Sequence, residues 1–193
     1  MKLIRHRCNQ IDELQATPTD YGIEVDIRSQ GDRLVIHHDP FAEGVNFIDW
    51  ISEYRHGTLI LNVKEEGLEN ALLAVMAERG IDDFFFLDQS FPFLIRTANR
   101  GESRCAVRIS EFESVETALT LAGKIDWVWI DCFTRFPLTA KDVHRLQKAG
   151  FKLCLVSPEL QGRFGEIAKT RAMLDVLCIY LDAVCTKDLA AWA

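Results

Sequence analysis

The chain is predicted to fold as one compact (β/α)8 (TIM) barrel of the α/β class, and three observations predict it. Eight short apolar runs rich in β-branched and aromatic residues recur along 193 residues. Segments with helical patterning stand between them, and no Pro/Gly/Ser linker, internal repeat or low-complexity tract divides the chain. A single domain over 1–193 follows, because this length supports one substantial core and is short for two. Barrels of this kind usually run to about 250 residues, so this one would be lean. An open doubly wound sheet shows the same alternation and stands as the competing architecture.

Taken in order, the first strand is read over 3–8 (LIRHRC) and is followed by a helical stretch from Ile11 to Leu14. The second strand, 22–28 (GIEVDIR), continues as SQGDRLVIHH. A Gly-Asp turn there predicts a β-hairpin extension over 29–38, not a helix. Helical patterning returns from Phe47 to Tyr54, before the third strand at 58–64 (TLILNVK) and a helix from Leu68 to Arg79. Strand four is read at 83–88, then a helix from Phe93 to Asn99. Strand five at 104–109 leads to a helix from Val115 to Leu121. Strand six at 126–131 precedes a helix from Ala140 to Lys148, for which Thr139 is a suitable N-cap. Strand seven at 151–156, a helix from Glu166 to Leu177 and strand eight at 182–186 complete the count. Gly80, Gly101 and Gly150 each stand just past a helix, where a left-handed cap needs a residue without Cβ.

The formal net charge of −7 argues against non-specific nucleic-acid binding, which needs a basic surface. No apolar segment reaches the length of a membrane span or of a signal peptide, and the cytoplasm is the expected compartment. The six cysteines are scattered without metal or redox spacing, so buried free thiols are expected.

In a parallel barrel the working groups sit at the C-terminal ends of the strands. There the chain carries His6 and Arg7 on strand one, Glu24 and Asp26 on strand two, His38 and Asp39 past the hairpin, and Asn62 and Lys64 on strand three. Glu24 and Asp26 are two apart in a strand and therefore share a face. Two carboxylates aimed together inside an apolar strand repel unless something answers them, and oxygen pairs suit a hard divalent cation such as Mg2+ or Ca2+. A cation with Arg7 and Lys64 would neutralise a phosphate, and two imidazoles can trade protons near neutral pH. Together these groups read as phosphodiester cleavage. The bland readings remain alongside: an ion-pair network of the acids with Arg28 or Arg33, a snorkelling Lys64, and an Arg108 paired with Glu111 or Glu113. His37, His56 and His144 are assigned to structural or surface positions. Trp127 and Trp129 are assigned to packing, and Asp131 points toward the rim. The loop LVSPELQGR over 155–163 follows strand seven and is the leading candidate for substrate selection.

The ordered set H-R, G-x-E-x-D, H-D and L-x-V-K resembles the glycerophosphodiester phosphodiesterase family of phospholipase-C-like barrels. The match is densest over residues 4–64 and extends to Ser90-Phe91 and to the closing AVCTKD. The resemblance implies a (β/α)8 barrel that binds one divalent cation and hydrolyses small glycerol phosphodiesters. It implies His6 and His38 as the acid/base pair, Arg7 and Lys64 as phosphate ligands, and Glu24 and Asp26 as metal ligands. Two positions depart from the pattern. Cys8 stands where a small residue is usual, and Asn62 stands where the family carries a third metal-binding Glu, offering an amide oxygen but no charge. Asp88, at the end of strand four, is a candidate to compensate. The alternative implied by Asn62 and the short chain is a non-catalytic barrel that binds a phosphorylated sugar or lipid head group. A third is a metal-free isomerase in which the acids move protons.

Overall fold

Strands of four or five apolar residues, each followed by a short helix, leave backbone groups that only neighbouring strands can satisfy. In the computed structural model, which describes residues 1–193, they pair as one parallel sheet. Its strands are β1 (Lys2–Arg5), β2 (Gly22–Gln30), β5 (Leu59–Val63), β6 (Phe84–Leu87), β7 (Ala106–Ile109), β8 (Trp127–Ile130), β9 (Lys152–Val156) and β10 (Ala183–Thr186). Between β2 and β5 lie β3 (Arg33–Ile36) and β4 (Val45–Asn46). The strand β3 runs antiparallel to β2 from Gln30↔Arg33 to Ile27↔Ile36, and β4 runs antiparallel to β3.

The parallel order is β6-β5-β2-β1-β10-β9-β8-β7. This sheet curls with the right-handed twist of its strands, and β6 approaches β7 through one bridge, Phe86↔Cys105. A hydrogen bond from Phe86 N to Arg104 O at 2.8 Å accompanies it. Elsewhere the ladders are fuller: β2 and β5 share five residue pairs, from Ile23↔Leu59 to Ile27↔Val63.

Period-two alternation sorts the side chains into two apolar layers. The inward set is small and includes Ile4, Ile60, Phe85, Leu87, Trp127, Trp129, Cys154 and Cys185. Phe85 and Trp127 stack across it with centroids 4.5 Å apart, so the lower interior is filled. A larger cluster joins the outer strand faces to the helices. Gly22, where β2 begins beside β1, has no room for a side chain: a Cβ there would lie 2.6 Å from Thr58 O and 2.9 Å from Ile4 Cγ1.

The helices are short, as the chain length requires: α1 (Ile11–Ala16), α2 (Phe47–Ser52), α3 (Glu69–Arg79), α4 (Phe91–Asn99), α5 (Val115–Leu119), α6 (Ala140–Lys148), α7 (Ile167–Val176) and α8 (Leu189–Trp192). Thr139 caps α6 with a reciprocal bond to Asp142, and Gly80 ends α3 at φ +64°. The last helix has no counterpart in the sequence reading, being four residues long. It is fixed by the Asp188 cap and by Trp192 Nε1 donating to Ser157 Oγ at 2.7 Å. All six cysteines are free and only Cys178 is exposed. No helix is long and apolar enough to cross a membrane.

Candidate active site

Glu24 and Asp26 lie on β2 with their side chains inside the sheet, 0 % and 1 % exposed. Parallel register sets Asp26 beside Asn62 of β5. Each carboxylate oxygen meets an N–H group. Glu24 Oε2 accepts from Arg7 N at 2.6 Å, and Oε1 accepts from Asn62 Nδ2 at 2.7 Å. Asn9 clasps Asp26 twice, donating from Nδ2 to Oδ2 at 2.8 Å and accepting from the Asp26 N–H at 3.1 Å. Lys64 Nζ is 3.2 Å from Asp26 Oδ1 and also 3.2 Å from Asp88 Oδ2. Beyond it Arg108 binds the other Asp88 oxygen and lies 3.8 Å from Asp131, which accepts from Gln161 at 2.5 Å. A belt of alternating charge thus crosses the ends of β2, β5, β6, β7 and β8.

Two members of this belt are out of phase with their strands. Ile4 and His6 share the inner face of β1, so alternation would turn Arg7 outward. Phe85 and Leu87 share the inner face of β6, which would turn Asp88 outward. Both residues adopt left-handed backbone, Arg7 at φ +53° and Asp88 at φ +60°, and both side chains swing into the belt. They are two of only four non-glycine residues with positive φ in the chain. Backbone in this region costs about 1 kcal/mol or more for a residue with Cβ, and such cost concentrates at working sites. The turn at Arg7 is also why β1 ends at Arg5 and not at Cys8.

Burial sets the protonation of this pocket. His6 is pushed down to about 4 by burial, with Arg7 adding to the effect, so its ring is neutral at physiological pH. Glu24 is raised to about 7 by burial and then by the charge on Asp26. Burial opposes ionisation of Asp88 as well, but Arg108 and Lys64 outweigh it and hold that carboxyl low. Asp131 is raised by burial although Arg108 opposes the shift.

The structure therefore brings together His6, Arg7, Glu24, Asp26, Asn62 and Lys64, with Asp88 one lysine away from Asp26. His6 Nε2 is 3.8 Å from Glu24 Oε2. His38 stands apart on the rim: its ring is 39 % exposed, and the acid beside it is Asp39, at 2.8 Å from Nδ1. Its carbonyl accepts from Arg28, which also reaches Glu65, so Arg28 braces the hairpin and is not a partner of the two buried acids. Among the bland expectations, His56 is not a surface group but donates from Nε2 to Thr17 O, 2.9 Å away, from a half-buried position.

Sequence reasoning passed over Asn9, Gln89 and Gln161. Asn9 carries no pattern of its own and is marked only by following the His-Arg pair. The loop after β9 is largely absorbed by internal bonds. Glu159 binds Ser157 and accepts from Thr186 Oγ1 at 2.5 Å and Lys187 N at 3.1 Å, while Arg163 ties to Cys132 O and Glu166. Its Gln161 reaches the belt, and Arg163 Nε is left without a hydrogen-bond partner.

Six buried side-chain polar atoms in the chain have no hydrogen-bond partner, and three of them are His6 Nδ1, Arg7 Nε and Asn62 Oδ1. Unmade hydrogen bonds of this kind cost about 1–3 kcal/mol each, although Arg7 Nε still lies 3.5 Å from Asp26 Oδ2 as an ion pair.

No family model matches the chain, and no curated protein matches it in sequence. Solved structures do. A glycerophosphodiester phosphodiesterase from Agrobacterium tumefaciens superposes with a TM-score of 0.69 at 14 % identity, over 100 % of both chains. A glycerophosphoryl diester phosphodiesterase from Parabacteroides distasonis superposes with a TM-score of 0.64 at 10 % identity, over 96 % of this chain and 82 % of that one. At such identities the likeness is one of fold, and the fold this chain shares is that of glycerophosphodiester phosphodiesterases.

Proposed function

We propose that this chain is a metal-dependent phosphodiesterase acting on a glycerophosphodiester or a related small diester, built as a (β/α)8 barrel whose seam lies between β6 and β7. The observation that carries the reading is the convergence of His6, Arg7, Asn62 and Lys64 on the buried pair Glu24 and Asp26, with His6 Nδ1 and Asn62 Oδ1 left without partners. Arg7 and Lys64 hold the phosphoryl oxygens. The neutral His6 ring takes the proton of the attacking hydroxyl or water, and His38 on the rim, oriented by Asp39, protonates the leaving oxygen.

A divalent cation would be held by Glu24, Asp26 and the amide oxygen of Asn62, taking the place of N–H groups that those carboxylates now meet. Three His, Cys, Asp or Glu side chains do not come together as a ready cage, so the ion rests on two carboxylates and an amide and is held less tightly than by three acids. Bound there, it supplies positive charge opposite the oxygens on which charge develops.

The test is hydrolysis of bis-p-nitrophenyl phosphate and of glycerophosphocholine in Mg2+, Ca2+ or Mn2+. Turnover abolished by chelator and by His6→Ala is the expected result. A second reading rests on Lys64, which is already shared by Asp26 and Asp88 and so is less available to a substrate. In that reading the pocket binds a phosphorylated sugar or head group without turnover. Binding of glycerol 3-phosphate with no hydrolysis of either diester would select it, and neither binding nor hydrolysis would end both.

A further inference from the structure

Lys64 divides its charge between two carboxylates. Its Nζ lies 3.2 Å from Asp26 Oδ1 and 3.2 Å from Asp88 Oδ2, and its side chain is largely buried. The partners of Asp26 are not equally fixed. Asn9 grips Oδ2 and the backbone N–H together, so it withdraws only by losing two bonds. Oδ1 meets Lys64, whose ammonium rides on a flexible four-carbon stem. A divalent cation held by Asp26 and an ammonium on the same buried carboxylate repel each other with little water between them to screen the charge. Lys64 is the group able to yield.

The place it yields to is already built. Neighbouring acids are engaged elsewhere: Glu65 with Arg28 and Ser29, Glu66 with Ser90, and Glu69 with Gln89. Asp88 differs, because Arg108 fixes its Oδ1 while Oδ2 is bonded to Lys64. A cleft of about 270 Å3 lined by Lys64, Asp88 and Gln89 gives the ammonium room there. Asp88 reaches this position only through its left-handed backbone. In extended geometry its carboxylate would face outward, and Lys64 would keep Asp26 alone.

We propose that Lys64 is an internal counter-ion standing in the place of a divalent cation at Asp26, and that Asp88 is a positioning residue that receives the ammonium when the cation binds. The proposal rests on the metal-dependent reading of the pocket. It gives Asp88 a part in cation binding without direct ligation, and it frees one ammonium N–H for a phosphoryl oxygen at the rim.

The test is calorimetric titration of Mn2+ into the wild-type chain, Lys64→Met, Asp88→Asn and the double variant, with the fold of each checked by circular dichroism. Methionine is unbranched and brings no oxygen, and asparagine tolerates the left-handed backbone at 88. The expected result is binding about tenfold tighter in Lys64→Met and about fivefold weaker in Asp88→Asn, with Asp88→Asn costing nothing further once Lys64 is replaced. Unchanged or weaker binding in Lys64→Met overturns the competition and leaves the metal reading standing. An equal loss from Asp88→Asn in both backgrounds makes Asp88 a direct ligand and overturns its positioning role. If Lys64→Met does not fold, Asp88→Asn still decides, since Mn2+ affinity within about twofold of wild type in that variant overturns the proposal. Mn2+ binding that emerges only when Lys64 is replaced supports it. Binding in none of the four chains removes it together with the metal reading.

Discussion

Along the β1–β2–β5 arc of the rim, five ladder pairs join β2 to β5, and every oxygen of two buried carboxylates meets an N–H group. One strand beyond β5, β6 and β7 share one bridge, and the space between them stays open. Both arcs are made of the same βα units. What separates them is what they bury. An ionised carboxylate in an apolar interior is tolerable only when its partners are held in place, which demands a full ladder and a neighbour such as Asn9. At the seam the charges of Asp88 and Arg108 are partly exposed and answer each other, so a short ladder suffices there and a cavity can persist.

The contrast can be broken most directly at Glu24. Exchange of its carboxylate for an amide in Glu24→Gln should lower diester turnover by about 100-fold or more while circular dichroism shows the fold retained. A loss of only a few-fold would place the chemistry elsewhere on the rim. Asn9→Ala tests the same arc through stability. It deprives Asp26 of one donor and leaves its N–H unanswered, for a cost of about 2–4 kcal/mol in urea unfolding. A change under about 0.5 kcal/mol would mean that the clasp is replaced by water.

Hydrogen exchange compares the arcs side by side. Amides from Ile23 to Ile27 should exchange at least about tenfold more slowly than those of Leu87 to Gln89, past the single bridge. Equal protection would show that the seam is tighter than its ladder implies. The smallest expected effect concerns acid. Glu111, just past β7, accepts backbone N–H bonds from Phe133, Thr134 and Arg135 in the loop after β8. Burial slightly opposes its charge, but these bonds outweigh it and pull the carboxyl down to about 2. Because the folded value lies below the ordinary one of about 4.5, the stabilisation is present above pH 4.5 and is lost as pH falls toward 2. Thermal melts over that window should fall less steeply in Glu111→Gln than in the wild-type chain.

Much of the fold was legible because alternation and helix caps are local signals. The strand read at 58–64 is found at Leu59–Val63, and the helix read from Ala140 to Lys148 keeps those ends. The pairing of Glu24 with Asp26 on one inner face was equally legible, since period two decides it. Arg7 and Asp88 were named as site residues, but alternation alone would turn both outward: they enter the belt by a left-handed backbone that the pattern does not show, and no glycine advertises it. Asn9 was invisible for another reason. Its value lies in a contact across 17 residues with Asp26, which neither residue type nor spacing announces. The seam could not be read at all, because one missing ladder between β6 and β7 depends on how the sheet closes and not on either strand alone.

The stacked pair Phe85 and Trp127 closes the floor beneath the charged belt. The underside of the belt is consequently sealed, and a ligand of the belt can reach it only across the strand ends or through the open side between β6 and β7.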